Sequence, residues 1–567
     1  MIKAIRRTEE CYGKRSAEKT EYTLHSFRPT GKKTGDFLMK KIKKIETAIE
    51  HTRLLREKFL SDPYRPGYHF AVPEDIGMPG DPNGAFFANG RYHLMYLYAC
   101  RSDSFRWGHI SSIDLIHWRS HPDAILPDDL DGGIFSGGAF VDDDGTCYMT
   151  YWGLPVEGKN QGGVRIIKSC DRHYDKWEKF SDYALPCTES GVHETADANG
   201  NKMFLACADP SNIWKKDGTY YMQMGNLSVL LKFKRDGLHD WSKDEPGKIE
   251  VPANIRGDWV DLFKSKDLIN WAYLHRFYER NQENIWTALN EDDMCPSFLP
   301  LPKAKSGGEP SGKYLQLFIS HNKGCQYYIG EYDKDNDIFI LEKHGRMTWA
   351  DNTFFAPEAL VDNKGRQIMW SWLLDNPKDE SKNGWSGVYG LPRVLWLRDD
   401  NTLGIAPVPE TELLKYNEVN FGVINLKNEK VELKNINGTS CEINLTVSNT
   451  DGEETGVYVR ASADFSEYTK IYYDSKNQKL VFDAAHSGQQ GRPIVESAPL
   501  VLEKGEKLLL DIFVDKSVIE VFANEKQAIC RRVYPEKDGS ANAYLYCTGS
   551  AVFEDVIVNE MMPSNFC

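Results

Sequence analysis

The stretch that decides the fold runs from Pro79 to Tyr98, PGDPNGAFFANGRYHLMYLY. Asp81 stands beside Pro82 and ahead of Asn83-Gly84. An apolar strand follows, then a turn at Asn89-Gly90, then a second strand rich in aromatics. A carboxylate at the mouth of a hairpin that otherwise wants to be buried costs free energy, so its meaning depends on whether the pattern recurs.

It recurs in ADPSNIWKKDGTYYMQMG, and a matching hairpin is found in SGGAFVDDDGTCYMTYW, CPSFLPLPKAKSGGEPSGKYLQLFIS and APEALVDNKGRQIMWSWL. Each hairpin has a short strand, a turn with glycine (Gly90, Gly145, Gly218, Gly312, Gly365) and a strand of alternating aromatics. Related outer-strand fragments, SSIDLIHWRSH and KSKDLINWAYL, lie between them. A β unit repeating roughly every 50 to 95 residues is too long for a solenoid and points to propeller blades. Five hairpins give five blades. In such a fold the innermost strand of each blade starts at the rim of a central channel. That slot is filled by Asp81-Pro82, Ser136-Gly137, Asp209-Pro210, Cys295-Pro296 and Ala356-Pro357. Proline is tolerated there because the first residue of a strand need not donate to the ladder. The carboxylates of Asp81 and Asp209 are therefore expected to converge in one axial funnel, where two like charges rarely serve a purely structural purpose.

The rest of the chain frames this unit. Residues 1–38 are polar and unpatterned, and a helix with an apolar stripe (Ile42, Ile45, Ile49, Phe59) is expected from Met39, packed on the body. Beyond residue 420 short runs such as CEINLTV, GVYVRAS and SVIEVFAN alternate apolar and polar, a β-sandwich signature without clustered acids. The expected class is all-β: residues 1–61 an extension plus helix, 62–410 a five-bladed β-propeller, 411–567 a β-sandwich. A net charge of −14 argues against nucleic acid or anionic membrane as a partner, and no apolar run long enough to span a bilayer occurs. MIKAIRRTEECYGKRSAEKTEY has no apolar core of a signal peptide, so a cytoplasmic protein is expected. The 12 cysteines lack metal-ligand spacing and are read as reduced thiols, with no metal or other cofactor expected.

Two carboxyl groups in a sugar-sized funnel fit glycoside hydrolysis, in which one attacks the anomeric carbon and another, of raised pKa, protonates the leaving oxygen. Asp81, at the pocket floor beside the Asn83 and Gly84 amides, fits the nucleophile; its alternative is an Asx-turn cap. Asp209 fits an acceptor of sugar hydroxyls, with the same alternative. The proton donor is sought in NEDDMCPSF, where Glu291, Asp292 and Asp293 crowd ahead of Cys295, against the alternative of a solvated acidic loop.

These residues resemble glycoside hydrolase family 32, the invertases, inulinases, levanases and related fructosyltransferases, over roughly residues 62–567. The family motif W-M-N-D-P-N-G is similar to GMPGDPNG (77–84), R-D-P to ADP (208–210) and E-C-P to MCP (294–296). WGHISSIDLIHW (107–118), FSGG (135–138), LPRVLWL (391–397) and LLLDIFVDKSVIEVFAN (508–524) also resemble family stretches. The resemblance implies a propeller followed by a sandwich, Asp81 as nucleophile and Asp209 as transition-state stabiliser. It places Trp107 in the wall of the sugar pocket; Phe135 and Ser136, at the second slot, are expected to touch substrate, and Asn83 to bond a sugar hydroxyl. Three positions depart from the motifs: Gly80 for asparagine, Ala208 for arginine, and Met294 for the glutamate acid. Glu291, with reach and residue type, or Asp292, with the side-chain parity of position 294, is then the expected acid. The leading reading is a retaining β-fructofuranosidase acting on sucrose or short fructo-oligosaccharides. A fructosyltransferase, a hydrolase of another furanoside and a carbohydrate-binding protein with a broken site stand beside it.

Overall fold

The computed structural model describes residues 32–74, 77–78, 80–99, 105–156, 161–180, 182–188, 192–197, 199–226, 257–279, 286–288, 291–375, 383–450 and 452–565. The polar extension read over residues 1–31 lies outside them. Lys32–Ser61 forms one helix, starting about two turns before the expected Met39 because Gly35 and the flanking polar residues do not interrupt it. Of its stripe, Phe59 is buried, whereas Ile42, Ile45 and Ile49 are exposed. Among the described residues no helix is long and apolar enough to cross a membrane.

A second compact unit begins at Tyr64. Five antiparallel sheets come first. The first is Pro82–Ala88, Arg91–Ala99, Phe105–Ser112 and Trp118–Ser120, in chain order. The second is built on Cys147–Leu154 and Gln161–Ser169, and the third on Lys202–Pro210, Thr219–Asn226, Trp259–Ser265 and Trp271–Glu279. The fourth and fifth again run in chain order, Met294–Pro302 to Ile338–Arg346 and Phe354–Val361 to Leu403–Pro407. The inner strand Pro82–Ala88 neighbours both Ala139–Val141 of the second sheet and Phe354–Val361 of the fifth. Lys202–Pro210 neighbours the second and fourth sheets, and Met294–Pro302 neighbours Phe354–Val361, so the ring closes.

Sequence repetition is read out as geometry. At Gly90 and Gly145 the hairpin turns need positive φ, 75° and 84°, which glycine supplies without strain. In the two outer-strand fragments Asp114 and Asp267 each cap a turn: Oδ1 accepts from the amides of Ile116 and His117, and of Ile269 and Asn270. Leu115 and Leu268 take left-handed φ of 65° and 63°, and Trp118 and Trp271 restart the next strand. One local sequence thus builds one local turn twice.

After a short 3-10 turn at Pro409–Leu414 the chain enters two six-stranded antiparallel sheets. Their inner residues, among them Ile443, Leu445, Val457, Ile471, Leu510, Val521 and Phe553, form one buried core. The sandwich grips the segment that leads into the first sheet. The Asp515 carboxylate accepts from the amides of Gly67, Tyr68 and His69, at 2.6–2.7 Å. Near the chain end, Ser564 and Asn565 amides donate to Gly67 O, at 2.9 and 3.0 Å. Glu520 accepts from Arg393 (2.7 Å), from the Leu391 amide (2.9 Å) and lies 3.4 Å from His69 Nε2, tying the fifth sheet to the sandwich through fully buried charges.

Candidate active site

All five inner-strand slots meet on the axis of the ring. Pro82, Asn83, Ser136, Gly137, Pro210, Cys295, Pro296, Pro357 and Glu358 line a cavity of about 10 Å³, no larger than one water. The axial space between the slots is therefore narrow.

The slots are bent. Asp209, Cys295 and Ala356 each precede a proline, where extended backbone is the rule, yet have φ of 50°, 51° and 47°. Each sits at a register shift of its inner strand: Ala208/Pro210, Met294/Ser297 and Phe355/Glu358. A left-handed residue before proline costs ~1–3 kcal/mol and persists only where its surroundings over-determine it. The bulge gives back an altered aim for the side chain at the start of the strand.

Asp81 is buried at 6% exposure. Its Oδ2 accepts from Ser136 Oγ at 2.5 Å, and its Oδ1 has no hydrogen-bond partner. Of the two amides expected to keep it ionised, that of Gly84 is used elsewhere, donating to Gly137 O at 3.2 Å. Burial, together with the Asp209 charge, pushes the Asp81 carboxyl up to about 7, against the pull of Ser136 and His321. Burial likewise raises Asp209 to about 6, opposed by His321 and by Cys295, whose Sγ lies 3.5 Å from Oδ2. Two further buried polar atoms in this region, Trp372 Nε1 and Tyr389 Oη, have no partner. The Asp81 charge also bears on Tyr389. A carboxylate short of donors and neighbouring polar atoms short of partners make a site that a polyhydroxylated ligand would complete.

Other expected contacts fall differently. Asn83 has both ends of its amide engaged within the protein: its Nδ2 donates to Asp81 O at 2.8 Å and its Oδ1 accepts from Gly137 N at 3.1 Å, stapling the first two sheets. Trp107 is completely buried in the core between these sheets, with its Nε1 donating to Phe135 O at 3.2 Å, so it supports the wall instead of forming it. Phe135 is half-buried against the edge of Phe105, and Ser136 is committed to Asp81. Gly80 has no space for asparagine: a Cβ there would stand 2.6 Å from Gly77 O and 2.9 Å from Gly387 Cα.

The acidic run ahead of Cys295 is dispersed. Glu291 is turned into an ion pair with Arg346 at 3.0 Å and also accepts from Gln326 and the Ala288 amide. Burial would raise it, but Arg346 outweighs that and holds it below the usual carboxylate range, which does not suit the acid role expected of it. Asp293 is buried against the Tyr278 hydroxyl, and burial pushes its carboxyl well up. Asp292 grips His321 twice: Oδ1 accepts from its amide at 2.9 Å, and Oδ2 lies 2.6 Å from its Nδ1. The sequence reading missed His321. It follows the strand Pro310–Ser320, whose Ile319 pairs with Met294, so it returns to the rim where the fourth inner strand begins. That strand-end position was the available signal.

Among the described residues one group has metal-ligand chemistry, His93, His109 and His121, with donor atoms within 4.8 Å of one another. The three rings are buried in the first sheet, and burial pushes them down, His93 to about 3. His93 Nδ1 meets His109 Nε2 at 2.9 Å, and both nitrogens of His121 are engaged, with Ser111 and Asp175. The trio has the donors of a metal site but is built as an imidazole chain inside a sheet.

Two family models cover nearly all of the second unit: the glycosyl hydrolases family 32 N-terminal domain over residues 69–253 and 251–407, and the family 32 C-terminal region over residues 410–560. The chain belongs to glycosyl hydrolase family 32. This family 32 chain is 26% identical to a fructan 1-exohydrolase of Bromus pictus, covering 86% of this chain and 85% of that one. It is 26% identical to β-fructofuranosidase, insoluble isoenzyme 4, of Oryza sativa subsp. japonica, with 87% of each covered. Its fold is similar to fructan 1-exohydrolase IIa from Cichorium intybus (TM-score 0.71, 22% identity, 88% of this chain and 98% of that one). The sucrose-6-phosphate hydrolase of Lactobacillus gasseri is also similar (TM-score 0.69, 21% identity, 91% and 97% covered). The family 32 assignment makes the chain a glycosidase with a propeller and a β-sandwich.

Proposed function

We propose that this glycosidase hydrolyses β-fructofuranosides such as sucrose or short fructo-oligosaccharides, with retention of configuration. In this reading Asp81 attacks the anomeric carbon through Oδ1, the oxygen without a hydrogen-bond partner. Asp209 accepts from sugar hydroxyls as positive charge develops at the ring. The observation that carries the reading is that Asp81 and Asp209 head inner strands of one closed ring, with the Asp209 charge bearing on Asp81. Relatives named for fructan and fructofuranoside hydrolysis supply the substrate class.

The test is a panel of sucrose, 1-kestose, inulin, levan and aryl β-fructofuranosides with purified protein, scoring free fructose and free glucose. Release of fructose is expected, with Asp81→Asn slower by about three orders of magnitude or more. Glucose released in large excess over fructose would replace hydrolysis with transfer. Sugar binding without turnover would replace the enzyme reading with a binding one.

A further inference from the structure

A departing sugar oxygen needs a proton, and the side chains around Asp81 leave few groups able to give one. Met294 has no proton to give. Glu291 is spent on Arg346, Gln326 and the Ala288 amide. Asp293 is fully buried and bonded to Tyr278. Asp209 faces Cys295 and is wanted ionised for the developing charge. Asp292 has both oxygens on His321.

One group remains. His321 stands at the rim where the fourth sheet enters the funnel, partly exposed at 28% of its side chain, with its ring against the edge of Phe355 at 5.7 Å. Its carbonyl accepts from Asn352 Nδ2 at 2.7 Å, which fixes the backbone below the ring. Asp292 fixes the ring itself, taking Nδ1–H and so directing Nε2 away from that carboxylate. The charged groups facing His321 are Asp292, Asp209 and Asp81, all acidic.

Resting on the hydrolase reading above, we propose that His321, oriented by Asp292, is the general acid and base of this site, taking the place of a carboxylic acid. In the first step Asp81 Oδ1 bonds to the anomeric carbon while the glycosidic C–O bond breaks. The bonding pair stays on the leaving oxygen, which takes the proton of His321 Nε2. In the second step neutral His321 removes a proton from water, the water oxygen bonds to the anomeric carbon, and Asp81 leaves as carboxylate. Fructose, the aglycone and the protonated histidine result, so the cycle closes. The protonation state is consistent with this: burial alone would lower His321, but Asp292, Asp209 and Asp81 together hold it above the ordinary imidazole range.

The experiment compares His321→Gln with the parent on sucrose and on an aryl β-fructofuranoside whose phenol is a good leaving group. Loss of a general acid lowers sucrose turnover by ~10²–10⁴-fold and spares bond cleavage in the aryl substrate. Sodium azide, a nucleophile that needs no base, should then restore aryl turnover and yield the β-fructosyl azide. The parent enzyme gives a second readout that requires no variant: the basic limb of its kcat/KM profile should shift to lower pH on warming, as an imidazolium does and a carboxyl does not. Asp292→Asn should move that limb to lower pH and lower sucrose turnover more than aryl turnover. If His321→Gln cleaves sucrose like the parent, the inference fails and the hydrolase reading stands. If both substrates fall equally without azide rescue, His321 only positions the sugar, and the inference is again overturned. If the parent cleaves neither substrate, the hydrolase reading itself has failed.

Discussion

Asp81→Asn should stabilise this protein while abolishing its activity, and the gain should depend on pH in a defined way. The wild-type carboxyl is buried, has one donor in Ser136 Oγ and sits in the field of Asp209, so folding raises it from 3.8 to about 7. Its folded value lies above its unfolded value. The folded state therefore holds a proton that the unfolded state has released between pH 4 and 7, and stability falls as pH rises through that window. At ~1.4 kcal/mol per pKa unit the full penalty is on the order of 4 kcal/mol, present above pH 7 and absent below pH 4. Asparagine has nearly the same shape, keeps an oxygen for the Ser136 hydroxyl and carries no charge to desolvate. For a unit of roughly 500 residues, unfolding entropy of ~2.1 cal/mol/K per residue makes that worth about 4 °C in Tm. Differential scanning calorimetry at pH 4.5 and pH 8 provides the measurement. A clear gain at pH 8 that shrinks strongly by pH 4.5 is expected. An equal gain at both values, or a loss at pH 8, would refute the claim that the carboxylate is held ionised at a cost.

Further outcomes follow from the neighbouring residues. Ser136→Ala removes the donor to Asp81, so the acid limb of kcat/KM should move to higher pH by about one unit or more, a charge-assisted bond contributing ~1.5–3 kcal/mol. Glu291→Gln should lower Tm by loosening Arg346 yet leave sucrose turnover little changed; a fall of ~10² or more would reinstate Glu291 as the acid. Glu520→Gln breaks a fully buried ion pair with Arg393 and should cost ~3–5 kcal/mol in chemical denaturation at neutral pH, without altering KM. The Glu520 carboxyl is pushed up by burial but held below its ordinary value by Arg393 and His69, so its contribution is lost as pH falls, and the difference between variant and parent should narrow in acid.

The sequence made the ring legible because its constraint is local and repeated. A proline at the head of a strand, a glycine in the turn and aromatics on the return strand each act within one hairpin, so Asp81 and Asp209 could be placed at slots before any coordinates. The related fragments SSIDLIHWRSH and KSKDLINWAYL were legible as one repeat for the same reason, but read as strands instead of the turns they form. What the sequence did not show was set by residues far apart along the chain. Asn83 reads as a sugar ligand until Gly137 of the next sheet takes its carbonyl oxygen. Trp107 reads as a pocket wall until the second sheet closes over it. Glu291 reads as an acid until Arg346, on the last strand of the same sheet, reaches it. His321 carries no signal in its own stretch, because it follows the strand that leaves the rim and only pairing with the inner strand brings it back there. The helix began early because its first turns lack an apolar signature, and helix ends are the least determined feature of periodicity.

The clamp of Asp515 on Gly67, Tyr68 and His69 sets an order of events during synthesis. The carboxylate and the Gly67 amide it receives are 448 residues apart along the chain. At ~5–20 residues per second the ribosome needs roughly 20–90 s to cover that distance. Throughout that time the segment leading into the first sheet is outside the ribosome with its three amides unmet, and the carbonyl of Gly67 waits still longer, for Ser564 and Asn565. The ring of sheets can be assembled early, but the segment leading into it cannot be latched until Asp515, and then Ser564 and Asn565, have been made. A nascent chain stalled before Asp515 should leave Gly67 to Val72 open to protease and chaperone, whereas a circular permutant that fuses Asn565 to Tyr64 and begins in the sandwich would have its latch made before the strand that needs it.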